Sequence, residues 1–131
     1  TLSTEIVLDV IGRVPNLAGV VDASLDFVFM EEVMCNGRQL RPELQLIAGG
    51  DFMVSAGALG GTGMFSTLSS VAPKLASRLF EMCRKQQFVE ARDIQEQAGA
   101  LNHAIKMAGA SGLRDGLAGT KAVLAAMGRD C

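Results

Sequence analysis

Apolar positions along the chain fall into two alternating rhythms. Short runs are apolar on both sides, and longer stretches carry apolar residues every three or four positions. Ile6, Val7, Val10 and Ile11 repeat at helical spacing behind Ser3, which can cap a helix, and Glu5, which suits its first turn. Gly12 and Pro15 end that helix. Leu17–Val21 is apolar on both faces, as a buried parallel strand requires. Asp22 and Ser24 then offer caps for a helix over roughly Leu25–Cys35, with Asn36-Gly37 as its stop.

The alternation continues. After a polar loop around Arg41-Pro42, Leu44–Ala48 reads as a second strand, Gly49-Gly50-Asp51 as a turn and Phe52–Leu59 as a helix. Gly60, Gly61 and Gly63 lead into a weaker third strand near Met64–Thr67. Pro73 suits the first turn of a helix that presents Leu75, Leu79, Met82 and Cys83 on one face. A long helix starts at Phe88, with Ala91, Ile94, Ala98, Leu101, Ile105 and Ala108 spaced by three and four. A Gly-rich joint at Gly109–Gly119 precedes a closing helix over about Thr120–Met127. Strand and helix alternate three times, which predicts an α/β fold with a parallel sheet covered by helices. Three such strands leave one sheet face bare, so a missing N-terminal half or another chain is expected to cover it. Isolated, these residues are expected to associate or aggregate rather than remain monomeric.

Composition narrows the class. With 49% hydrophobic and 20% charged residues, the 131-residue chain reads as one globular domain rather than a disordered segment. A net charge of -2 leaves no basic footprint for nucleic acid. No apolar run approaches the ~18 residues of a membrane span. The start, with Glu5 and Asp9, does not have the basic-then-apolar order of a signal peptide. Cys35, Cys83 and Cys131 are widely spaced without a CxxC pair, which favours reduced cysteines and an intracellular compartment, cytoplasmic or mitochondrial. Beginning at Thr1 and entering a helix almost at once, the chain has the look of a fragment or a processed product.

Four segments in order carry a family resemblance. Pro15-Asn16-Leu17-Ala18-Gly19-Val20-Val21-Asp22-Ala23-Ser24 resembles the "PNIxGxKDxS" strand of the dihydrodipicolinate synthase and N-acetylneuraminate lyase family. Ile47-Ala48-Gly49-Gly50-Asp51 is similar to its next strand and glycine turn. Gly60-Gly61-Thr62-Gly63-Met64-Phe65-Ser66 resembles its "GAxGxIS" segment, followed by Ser70-Val71-Ala72-Pro73 where the family often has "ANxxP". Lys121–Gly128 is similar to the closing "KxxLxxxG" helix. The glycine turns lean slightly toward 4-hydroxy-2-oxoglutarate aldolase-like members. The resemblance implies the C-terminal part of a (β/α)8 TIM barrel, with residues 1–87 as βα units and 88–131 as a terminal helical extension of the same domain. The family's "GTTGE" loop and "YNxP" tyrosine lie upstream of such a part.

The resemblance also implies a lyase acting on pyruvate or another 2-oxo acid, commonly as a homo-oligomer and without a cofactor. A strand-end lysine forms an imine with the substrate, because a desolvated lysine keeps a neutral, nucleophilic amine. Here Val21 aligns with that lysine, and valine cannot form an imine. Lys74, Lys85, Lys106 and Lys121 fall on predicted helices away from strand ends. Two readings stand: a relative that has lost Schiff-base chemistry, or a lyase that uses other groups. A non-catalytic structural or regulatory subunit completing a related barrel is the alternative class. An independent parallel α/β domain unrelated to aldolases is a third.

Other residues are weighed against simpler roles. Gly49 and Gly50 could present backbone groups to a carboxylate, or serve a turn that needs glycine. Phe65 matches a pocket-lining position of the family, though core packing is the simpler role. Asp22 and Ser24 fit capping better than substrate binding. Ser66 and Ser70 have no nearby histidine to serve as base. The single histidine, His103, falls within the long helix, so neither catalysis nor a metal site is expected there. Met30, Met34, Met53 and Met82 suit core filling. The Ala91–Ala108 stripe could face either a partner or the helix at Leu75–Cys83.

Overall fold

The structure, a computed structural model, describes residues 2–49, 52–108 and 116–129. Its elements run α1 (Thr4–Arg13), β1 (Gly19–Asp22), α2 (Phe27–Leu40), β2 (Gln45–Gly49), α3 (Met53–Ala58), β3 (Gly63–Phe65), α4 (Leu68–Val71), α5 (Pro73–Arg84), α6 (Phe88–Ala108) and α7 (Gly116–Ala126). The three strands form one parallel sheet in the order β1-β2-β3. This is the α/β alternation expected from the sequence.

Local chemistry explains most boundaries. Ser3 is the N-cap of α1, its Oγ accepting the Ile6 N–H at 3.4 Å. Glu5 and Arg13 occupy the first and last turns, where their charges complement the helix dipole. Pro73 stands in the first turn of α5, where its missing N–H costs nothing.

The register Val21↔Ile47↔Gly63 sets which side chains share a face. Val20, Leu46, Ala48 and Met64 point toward the helices, while Gly19, Val21, Gln45, Ile47, Gly49, Gly63 and Phe65 share the opposite face. On the helix side, Leu46 and Ala48 are 2% and 0% exposed. They pack with Val7 and Ile11 of α1 and with Met30, Val33 and Met34 of α2. A second core joins Met53, Leu68, Ala76, Leu79, Cys83, Ala91, Ile94 and Ala98. Thus the α6 stripe is buried against α5 within the chain, although Ala108 at its end is exposed. Met30, Met34 and Met53 are buried and Met82 is half-buried, as core filling requires.

Several boundaries differ from the sequence reading. Helix α2 begins at Phe27 and runs to Leu40, through Asn36 and Gly37 rather than stopping there. Its N-cap is Asp26, whose Oδ1 accepts the Phe29 N–H at 3.1 Å, not Asp22 or Ser24. Strand β3 spans Gly63–Phe65 and gives way to the short helix α4, because the Ser66 Oγ accepts the Leu68 N–H at 3.1 Å and turns the chain. Helix α7 starts at Gly116, earlier than Thr120. Gly50, Asp51 and most of the Gly-rich joint lie outside the described residues, as does Cys131.

Candidate functional site

The sheet has two unlike faces, and the open one carries the positions that the sequence singled out. Val21, one residue before the end of β1, is 53% exposed, and Phe65, the last residue of β3, is 63% exposed. Ile47 lies between Val21 and Gly63 and is half-buried. The strands are parallel, so Asp22, Gly49 and Phe65 mark one common end of the sheet. Among the described strand residues, no ionisable side chain points to this face; Gln45 is its polar member and sits at the opposite end.

Gly49 is buried although its face is open. Its φ is not in the left-handed region. A Cβ there would stand 3.5 Å from the Asp22 carbonyl oxygen and 3.8 Å from Leu25 Cδ2, which is ordinary contact. Neither a strained turn nor a close approach among the described residues therefore demands glycine at position 49. Gly50, its predicted companion, lies outside the described residues.

Asp22 turns away from the open face. It is 8% exposed and stands beside Val20, Met30, Val33 and Met34 on the helix side. Its Oδ1 accepts the Ser24 N–H at 2.8 Å, the Ser24 Oγ accepts the Asp26 N–H at 3.1 Å, and Asp26 caps α2. These three bonds in series shape the loop that follows β1. Within that loop Leu25 adopts φ +61, a conformation that side chains other than glycine, asparagine and aspartate rarely take. Leu25 is the functional-looking residue that sequence reasoning passed over, because positive φ at a leucine has no compositional signal.

The remaining candidates are scattered. Lys74, Lys106 and Lys121 are exposed on α5, α6 and α7, and Lys85 follows α5, so the structure brings no lysine to the strand ends. His103 is exposed on α6. Ser66 holds the turn after β3, and Ser70 lies on α4. Cys35 is free and exposed, whereas Cys83 is free and buried, and burial pushes its thiol pKa up. Among the described residues, no three His, Cys, Asp or Glu side chains gather as metal ligands. No helix among them is long and apolar enough to cross a membrane.

The parallel strands, the glycine-bearing strand ends and the trailing helices have a counterpart among known proteins. The family model described as "Dihydrodipicolinate synthetase family" matches residues 1–129. The chain belongs to the dihydrodipicolinate synthetase family. No curated protein matches it. Among solved structures it is similar to a provisionally assigned dihydrodipicolinate synthase from Thermus thermophilus, with 22% identity and a TM-score of 0.75 over 98% of this chain and 41% of that one. It is similar also to a monomeric dihydrodipicolinate synthase variant, at 17% identity and a TM-score of 0.68, over 95% of this chain and 50% of that one. A dihydrodipicolinate synthase family protein from Coccidioides immitis gives 16% identity and 0.68, over 96% and 40%. At these identities the likeness is one of fold. The chain spans 41%, 50% and 40% of the lengths of these three structures.

Proposed function

We propose that the chain forms the C-terminal βα units and helical extension of a (β/α)8 barrel of lyase type, acting on pyruvate or another 2-oxo acid if it is active. In this reading Val21 stands where the family's Schiff-base lysine would stand, so the reaction centre lacks its amine. Gly49 and Phe65 line the substrate side, in keeping with the rule that barrel active sites gather at the C-terminal ends of the strands. The observation that carries the proposal is the open sheet face, with Val21 and Phe65 exposed at the strand ends while the other face is sealed by helices. Family membership supports the lyase assignment at the level of the family. The remaining strands come from a missing N-terminal half or another chain, and the assembly is a homo-oligomer.

Imine formation needs a neutral amine held against a carbonyl carbon. Valine has no lone pair to offer, and the four lysines lie on or beside helices. The full-length protein treated with pyruvate and borohydride is therefore expected to gain no covalent adduct by mass spectrometry. A stable adduct would contradict the loss of Schiff-base chemistry. Among the described strand residues no ionisable side chain points to the open face, which also favours a second reading, a non-catalytic subunit that completes a related barrel. Binding of 2-oxo acids to the full-length protein separates the two: a scaffold binds none.

A further inference from the structure

Leu25 combines three features. Its backbone is left-handed at φ +61, its side chain is 53% exposed, and it is held in the loop directly after β1. Left-handed leucine costs free energy that a glycine would not. Such an outlier persists when its surroundings over-determine it. The serial bonds from Asp22 to Ser24, from Ser24 to Asp26 and from Asp26 to Phe29 do so here.

The side chain has a defined target. Its Cδ2 lies 3.8 Å from where a Cβ on Gly49 would stand. Gly49 shares its face with Val21, Ile47 and Phe65. A Leu25 methyl group therefore borders the space in front of Gly49, next to the Asp22 carbonyl oxygen at 3.5 Å from that Cβ position, on the face that is otherwise open. Leu25 and the Asp22 carbonyl together stand over Gly49, which is buried beside an exposed Val21 and Phe65. A charged group brought to that spot would lose water against Leu25, Val21 and Ile47 without a counter-charge among the described strand residues, whereas an alkyl group would gain by burial.

We infer that Leu25 is the specificity-determining residue of the strand-end site. It turns the space before Gly49 into an apolar subsite for the alkyl end of a small 2-oxo acid and rejects a second carboxylate. The inference rests on the reading of the strand ends as a 2-oxo acid site.

The test is calorimetric binding of 2-oxobutyrate and of 2-oxoglutarate to the full-length protein and to its Leu25→Gly and Leu25→Asn variants. Both replacements tolerate the left-handed backbone, so folding is retained by at least one route. The native protein is expected to prefer 2-oxobutyrate by about tenfold or more, the equivalent of one factor of ten in Kd. Both variants should lose most of that preference. An unchanged ratio in the variants, with binding intact, would overturn the role of Leu25 and leave the oxo-acid site standing. Failure of all three proteins to bind either acid would remove the site reading itself, and the inference with it.

Discussion

The two faces of this sheet are built from the same three strands yet obey different physics. On the helix side, Leu46 and Ala48 are sealed under α1 and α2, and each large apolar group there gains roughly 1.5–3 kcal/mol from leaving water. On the other side Val21 and Phe65 meet solvent, and Ile47 is half covered. A one-residue step along β1 or β2 moves a side chain from one regime to the other. Strand residues apolar on both sides predict burial on both sides, and here only the helix side of the sheet is sealed.

Substitutions on the two faces should separate sharply wherever the open face stays uncovered. Leu46→Ala is expected to cost about 2–5 kcal/mol, read as a lowered urea midpoint at constant slope, because it empties a packed site. A cost near zero would deny that the helix-side core holds the sheet. Next in size is Thr62→Val. The Thr62 Oγ1 accepts the Leu46 N–H at 2.8 Å and donates to the Leu46 carbonyl at 3.2 Å, gripping β2 just ahead of β3. Leaving that N–H unpaired should cost about 1–3 kcal/mol.

Asp26→Ala removes the N-cap of α2 and should cost about 1 kcal/mol, visible as a smaller shift of the same midpoint. Smallest of all is Val21→Ala. On the isolated face it should change stability by only about 0.5 kcal/mol or less, as for other exposed positions. Where a barrel partner covers Val21, the cost should rise toward that of a buried valine. The size of the Val21→Ala cost in the full-length protein thus reports whether this face is covered.

Much of the architecture was legible because it rests on periodicity and caps. Ile6, Val7, Val10 and Ile11 gave α1 with Ser3 as its cap, and the two-sided run at Leu17–Val21 gave a parallel strand. What failed were glycine signals judged without their neighbours. Gly37 looked like a helix stop, but it is buried inside α2, where a Cβ would stand 3.2 Å from Ile11 Cδ1. It serves the close approach of α1 and α2. The end of α2 is instead organised by Arg41, whose guanidinium donates to the Leu17 and Val14 carbonyls at 2.9 Å each. That contact joins loops far apart in sequence, so no local pattern announces it. The same holds at the candidate site: the Val21 position was readable from the strand motif, whereas the contact of Leu25 with Gly49 depends on two βα loops meeting in space.

The contrast between faces is tested most directly by sedimentation velocity on the 131-residue chain alone. With Val21 and Phe65 uncovered, the chain is expected to sediment as oligomers or aggregates, and to become well behaved when joined to the strands that complete its sheet. A monodisperse, folded monomer would contradict the claim that this face is made to be covered.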